Sequence, residues 1–157
     1  MKPKVYVETT IISYLTARPS RDLVVAGHQQ VTHEWWQTSR GHFALVSSQL
    51  VVGEAGAGDP EAAQERLALL GEVTLLEISE EALALAQHLV QSGAIPAGFP
   101  EDALHVAVAV VNGIEYLLTW NYKHLANAVM RSRIEAACHK LGYEPTIICT
   151  PEELMED

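Results

Sequence analysis

At 157 residues the chain is long enough to bury a hydrophobic core as one domain, without disulfides or a structural metal. Its content, 48% hydrophobic and 19% charged, is that of an ordinary globular protein, and no apolar run approaches the roughly 20 residues of a membrane span. A net charge of −10 excludes coating nucleic acid through bulk electrostatics, which needs a basic surface; it leaves room for a nuclease whose metal ions neutralise the substrate phosphate.

The first strand-like run, Val5–Glu8 within "KVYVETT", ends on a carboxylate. That charge interrupts the N-terminal apolar stretch at once, so no signal-peptide pattern forms and the cytoplasm is the expected location. "DLVVAGHQQVTHEWW" follows, with Leu23, Ala26, Gln30, His33 and Trp36 at helical spacing behind Arg21 and Asp22. Strand Phe43–Ser47 runs straight into "SQLVVGEAGAG", a helix of small apolar residues carrying Glu54. "PEAAQERLALLG" starts on Pro60 at a favoured first-turn position and stops at Gly71. After strand Val73–Ile78 comes "SEEALALAQHLVQSG", with Ser79 as N-cap, Leu83, Ala86, Leu89 and Val90 as its apolar side, and Gly93 as its stop. "PEDALHVAVAVVNG" is apolar after its acidic first turn and must be buried; strand Tyr116–Thr119 follows it. A basic helix, "NAVMRSRIEAACHKLG", and strand Thr146–Cys149 complete the chain. Cys138 and Cys149 fit no zinc spacing and read as reduced and buried.

Strands separated by helices of this length predict an α/β fold with a mostly parallel sheet covered on both faces, over residues 1–157 as a single domain. Ligand sites in such sheets lie beyond the C-terminal ends of the strands, which is where Glu8 and Asn121 fall. Each acid also has a structural explanation: a solvated strand end for Glu8, a surface-facing helix position for Glu54, and a favourable first-turn charge for Asp102. His105 shares a helical face with Asp102, either packed on the sheet or orienting a carboxylate. The other histidines, His124 among them, show no ligand spacing.

Taken together, an acid ending the first strand, an acid in the helix after the second, and "DALHVAVAV…YLLTWNYKHL" resemble the PIN-domain family, in particular its VapC-like toxin ribonucleases, along almost the whole chain. The resemblance implies a three-layer α/β/α sandwich and a metal-dependent endoribonuclease that leaves 5′-phosphate and 3′-hydroxyl ends. It implies Glu8, Glu54 and Asp102 as catalytic carboxylates and, with Asn121, as ligands of Mg²⁺ or Mn²⁺, supported by Thr9 or Thr10, by Thr119 and by His105. It further implies an RNA substrate, a cognate antitoxin and a homodimer. Glu8 stands where most members carry Asp, displacing the carboxylate by roughly 1.5 Å. Asn121 replaces a further acid by a neutral carbonyl, so one metal is expected to bind tightly and a second to arrive with the substrate. Arg18, Arg21 and Lys123 are candidates for holding flanking phosphates if the loops gather them, and solvated cations if not. Trp35 and Trp36 suit a core, a dimer interface or base stacking. Chemistry lost through Glu8 and Asn121 would leave instead a scaffold that binds RNA or a protein.

Overall fold

A computed structural model describes residues 1–155. Five strands, β1 (Lys4–Val7), β2 (Ala44–Ser48), β3 (Thr74–Leu76), β4 (Tyr116–Leu118) and β5 (Ile147–Cys149), form one sheet in the order β3-β2-β1-β4-β5. Every pairing is parallel, and Val5, Tyr6 and Val7 on the central strand are fully buried. Strands covered on both faces read as continuous apolar runs for that reason.

The crossovers are α1 (Thr9–Thr16), α2 (Leu23–Thr38), α3 (Gln49–Ala55), α4 (Pro60–Leu70), α5 (Glu80–Gln91), α6 (Pro100–Val111) and α7 (Ala128–Lys140). Helices α1 to α4 pack among themselves, as do α5 to α7. Right-handed crossovers put these two groups on opposite faces, giving the three-layer α/β/α sandwich. Helix starts follow local chemistry: Asp22 accepts from the amides of Val24 and Val25, Ser79 from Ala82, and Asn127 from Met130. Gly93 and Gly113, just past the ends of α5 and α6, take φ values of 79° and 68°, a left-handed conformation open to glycine. Among the described residues no helix is long and apolar enough to cross a membrane.

Three details depart from the sequence expectation. Helix α1 was not anticipated: "TTIISYLT" is rich in β-branched residues that disfavour helix, yet it is held by Ile11 and Ile12, both fully buried. On α2 the buried face is Gln29, Thr32 and Trp35, while Leu23 is almost wholly exposed. Two of those three are polar because each has work: Gln29 holds the Arg18–Ser20 loop through its amide, and Thr32 Oγ1 accepts from Trp120 Nε1 at 2.7 Å. On α5 the buried side is Ala82, Leu85, Ala86 and Leu89, and Leu83 points outward.

The strand order reverses at β1, whose neighbours β2 and β4 are reached by connections leaving in opposite directions. Such a switch point opens a crevice at the C-terminal strand ends. Glu8 directly follows β1, and its amide donates to the Leu118 carbonyl of β4 at 3.1 Å.

Leu85→Ala is expected to destabilise the protein by about 2–5 kcal/mol, and Leu83→Ala on the same helix by about 0.5 kcal/mol or less. Urea unfolding of the two variants measures the difference, and equal losses would contradict the observed face of α5.

Candidate metal centre

Glu8 is 6% exposed, an unusual burial for a carboxylate at a helix N-cap position. Its side chain caps nothing. Oε1 instead accepts from Thr10 Oγ1 at 2.5 Å and from Thr119 Oγ1 at 2.6 Å. Both hydroxyls are themselves acceptors, Thr10 from the Trp120 amide at 2.9 Å and Thr119 from the Asn121 amide at 3.0 Å. The charge is thereby connected to two backbone N–H dipoles through two hydroxyls.

Glu54 arrives on α3, the helix that starts directly where β2 ends. Its Oε1 accepts from Thr9 Oγ1 at 2.6 Å and pairs with His105 Nε2 at 2.8 Å. Behind it, His105 Nδ1 lies 2.8 Å from the Tyr6 hydroxyl, which lies 2.7 Å from Ser48 Oγ. The pair is electrostatically matched. Desolvation alone would raise the Glu54 pKa, but the hydrogen bond and charge of His105, with the bond from Thr9, carry it below its ordinary value. Burial alone would lower that of His105, but the bond to Glu54 and the charges of Glu8, Glu54 and Asp102 carry it above its ordinary value. Burial likewise raises the Tyr6 hydroxyl, which stays protonated and able to donate.

Asp102 opens α6 beside Glu101 and Pro100. Its Oδ2 pairs with His124 Nδ1 at 2.8 Å, and the His124 ring packs on Phe99 at 4.0 Å between centroids. Donor atoms of Glu8, Glu54 and His105 lie within 4.8 Å of one another, a group in which Asp102 does not figure. The structure thus brings Glu8, Glu54 and His105 together, with Thr10 and Thr119 bonded to Glu8 and Thr9 to Glu54, and gives Asp102 a separate partner. Asn121 Oδ1 accepts from the His124 amide at 3.1 Å, closing the turn that delivers His124 to Asp102. Arg18, Arg21 and Lys123 are exposed and make no salt bridge among the described residues. Trp35 is in the core; Trp36 is half-buried under the Arg40 guanidinium.

The donor set suits a hard cation. The bonds to Glu8 and Glu54 use Oε1 and that to Asp102 uses Oδ2, so the second oxygen of each carboxylate has no protein partner among the described residues. No thiolate competes: burial pushes the Cys138 thiol up to about 11 and that of Cys149 up to about 12. Sequence spacing did not reveal His124, because its role depends on the Asn121 turn; the "NYKHL" histidine three residues after the asparagine was the available signal.

No protein-family model and no curated protein sequence matches the chain. Solved structures do resemble it. A chain of the VapBC2 structure from Rickettsia felis, bound to a promoter DNA fragment, superposes with a TM-score of 0.60 at 16% identity, over 94% of this chain and 98% of that one. VapBC-1 from nontypeable Haemophilus influenzae gives 0.60 at 16% identity over 95% and 98%. VapC20 from Mycobacterium tuberculosis, a toxin that cleaves the sarcin–ricin loop, gives 0.53 at 17% identity over 72% and 86%. The shared feature is the PIN-like α/β/α fold.

The His105–Glu54 pair makes stability depend on pH in metal-free protein. His105 is raised, so its contribution is full below 6.5 and fades as pH rises through the folded-state value; Glu54 is lowered, so its contribution is full above 4.5 and fades as pH falls through its own. In EDTA, His105→Ala should cost roughly 1–3 kcal/mol more between those values than at high pH. Chemical denaturation across pH measures this; a gap independent of pH would rule out the charged pair.

Proposed function

We propose that the protein is a divalent-metal-dependent endoribonuclease, the toxin of a toxin–antitoxin pair. The observation that carries this is the buried Glu8 carboxylate, met by Glu54 at the switch point of a fold shared with VapC and VapBC structures. Glu8, Glu54 and Asp102 would hold Mg²⁺ or Mn²⁺ through their unpartnered oxygens. When bound, the ion supplies an acidified water and neutralises charge on the reacting phosphate.

The chain's own residues prepare that step. Thr10 and Thr119 fix the direction of the Glu8 carboxylate, and Thr9 and His105 fix that of Glu54. The lowered pKa of Glu54 keeps it ionised, which a hard cation requires. His124 orients Asp102, and Asn121 holds His124. Asn121 therefore acts as a positioning residue in this reading; its own carbonyl is engaged, and the three carboxylates would hold one ion, with a second recruited alongside substrate. Arg18, Arg21 and Lys123 are the cations assigned to flanking phosphates. The VapBC structures are complexes of the kind that an antitoxin partner here would form, and a homodimer in the cytoplasm accompanies the same reading.

The engaged Asn121 carbonyl also favours a second reading, a scaffold that binds RNA or a protein without cutting. Calorimetric titration with Mn²⁺ separates the two. Wild type should bind one or two ions, and Asp102→Asn and Glu8→Ala should each lose at least tenfold in affinity. Asp102→Asn should also abolish RNA cleavage with the fold intact by circular dichroism. Absence of binding at millimolar metal would leave the scaffold.

A further inference from the structure

Four aromatic rings gather where β4 ends. The Trp120 ring stacks on His28 of α2, with 4.2 Å between centroids and 14° between planes, and on Tyr14 of α1, at 6.2 Å and 18°. Tyr122 lies 5.4 Å from His28 and 6.0 Å from Trp120. Part of this assembly is packing: Trp120 is 4% exposed, its indole N–H reaches Thr32, and it fastens α1, α2 and the β4–α7 connection together.

Packing does not account for Tyr122. Its ring is 44% exposed, yet it is held in place: the hydroxyl lies 3.2 Å from His28 Nε2, and the main-chain carbonyl accepts from the Asn127 side chain. An exposed aromatic ring fixed at both ends and backed by two further rings is a platform with its entropy loss already met by folding. It also adjoins the acidic site, because the Trp120 amide donates to Thr10 Oγ1, which donates to Glu8.

The charge around the ring is mixed: the Glu152 and Glu153 carboxylates act on the Tyr122 hydroxyl, so a strand held here depends on stacking and on the few cations nearby in the chain. The chain has 10 Lys and Arg against 20 Asp and Glu, so its overall field repels RNA and local contacts must hold it. Three of those cations belong to the segments that bear or flank these rings. Lys123 follows Tyr122, Arg18 lends its carbonyl to Gln29 beside His28, and Arg21 precedes Asp22, the N-cap of α2. Stacking on an aromatic face is the sequence-tolerant way to hold an unpaired base, and flanking cations serve its phosphates.

We infer that Tyr122, backed by His28 and Trp120, is a stacking subsite for one unpaired nucleobase of the RNA strand next to the scissile phosphate. This rests on the ribonuclease reading and adds the requirement that the strand be unpaired there.

The test compares fluorescein-labelled single-stranded RNA of mixed sequence with a base-free ribose–phosphate oligomer of equal length, by anisotropy in Ca²⁺. Tyr122→Ala should weaken RNA binding about tenfold or more, whereas Tyr122→Phe, which keeps the ring, should stay within about threefold of wild type. Neither variant should change affinity for the base-free oligomer or for Mn²⁺. RNA affinity unaltered in Tyr122→Ala, or an equal loss on the base-free oligomer, would overturn the subsite while leaving the ribonuclease reading in place. Unaltered RNA affinity with loss of a protein partner would make the patch a protein interface and equally overturn it. Wild type that neither binds nor cuts RNA would remove both.

Discussion

A carboxylate at 6% exposure in the middle of the sheet's edge is the constraint around which this molecule is arranged. Moving an ionised group out of water is expensive unless hydrogen bonds replace its hydration. Here the replacement is two threonine hydroxyls on a single oxygen, each polarised by a main-chain amide behind it. That solution fixes three things at once: the first turn of α1, which must place Thr10; the end of β4, which must place Thr119; and the course of the next two residues, whose amides support those hydroxyls. The Glu8 amide bonded to the Leu118 carbonyl brings the two strand ends into the register this needs.

The same economy of partners recurs at the other two acids, with different chemistry. Glu54 has a hydroxyl and an imidazole, and Asp102 has an imidazole alone. In each case one oxygen is engaged and the other has no protein partner among the described residues. Glu8 and Glu54, gathered at one point, repel each other without a cation, and His105 lessens that cost. The two histidines are not equivalent. His105 is fully enclosed, with Tyr6 and Ser48 behind it, so its ring has no freedom to turn. His124 is held by a turn and a phenylalanine face, so the position of Asp102 depends on the connection that carries Asn121.

What could be read in the sequence was local. The cap at Ser79, the proline starts and the glycine stops depend on neighbours within a few residues, and they hold in the structure. What could not be read depends on distant contacts. Helix α1 defies its β-branched composition because Ile11 and Ile12 have a core to enter. The face of α2 is rotated by one residue from the apolar pattern because Trp120, 88 positions away, needs the Thr32 hydroxyl. His124 finds Asp102 across 22 positions, and no spacing rule connects a loop histidine with a helix start. Glu54 was legible as a charge among small residues, but its partner His105 could be read equally as packing until both were placed.

The length of Glu8 gains a physical meaning from these contacts. The residue occupies the N-cap of α1 in extended conformation, φ −84° and ψ 160°, where an aspartate is among the best caps because its short side chain folds back onto the first free amides. Glutamate is poorly suited to that, and in this structure it makes no such bond. One methylene more carries the carboxylate beyond the first amides of α1, to Thr10 Oγ1 and to a hydroxyl 111 positions away, so Glu8 ties β1 to β4 where a shorter acid would cap α1. The site thereby exchanges a bond to the first free amides of α1 for one to the Thr10 hydroxyl and a link to Thr119 across the switch point. The amides at the start of α1 lose a side-chain acceptor, and the helix depends all the more on the burial of Ile11 and Ile12. The position of the carboxylate and the stability of α1 are consequently coupled through a single side chain.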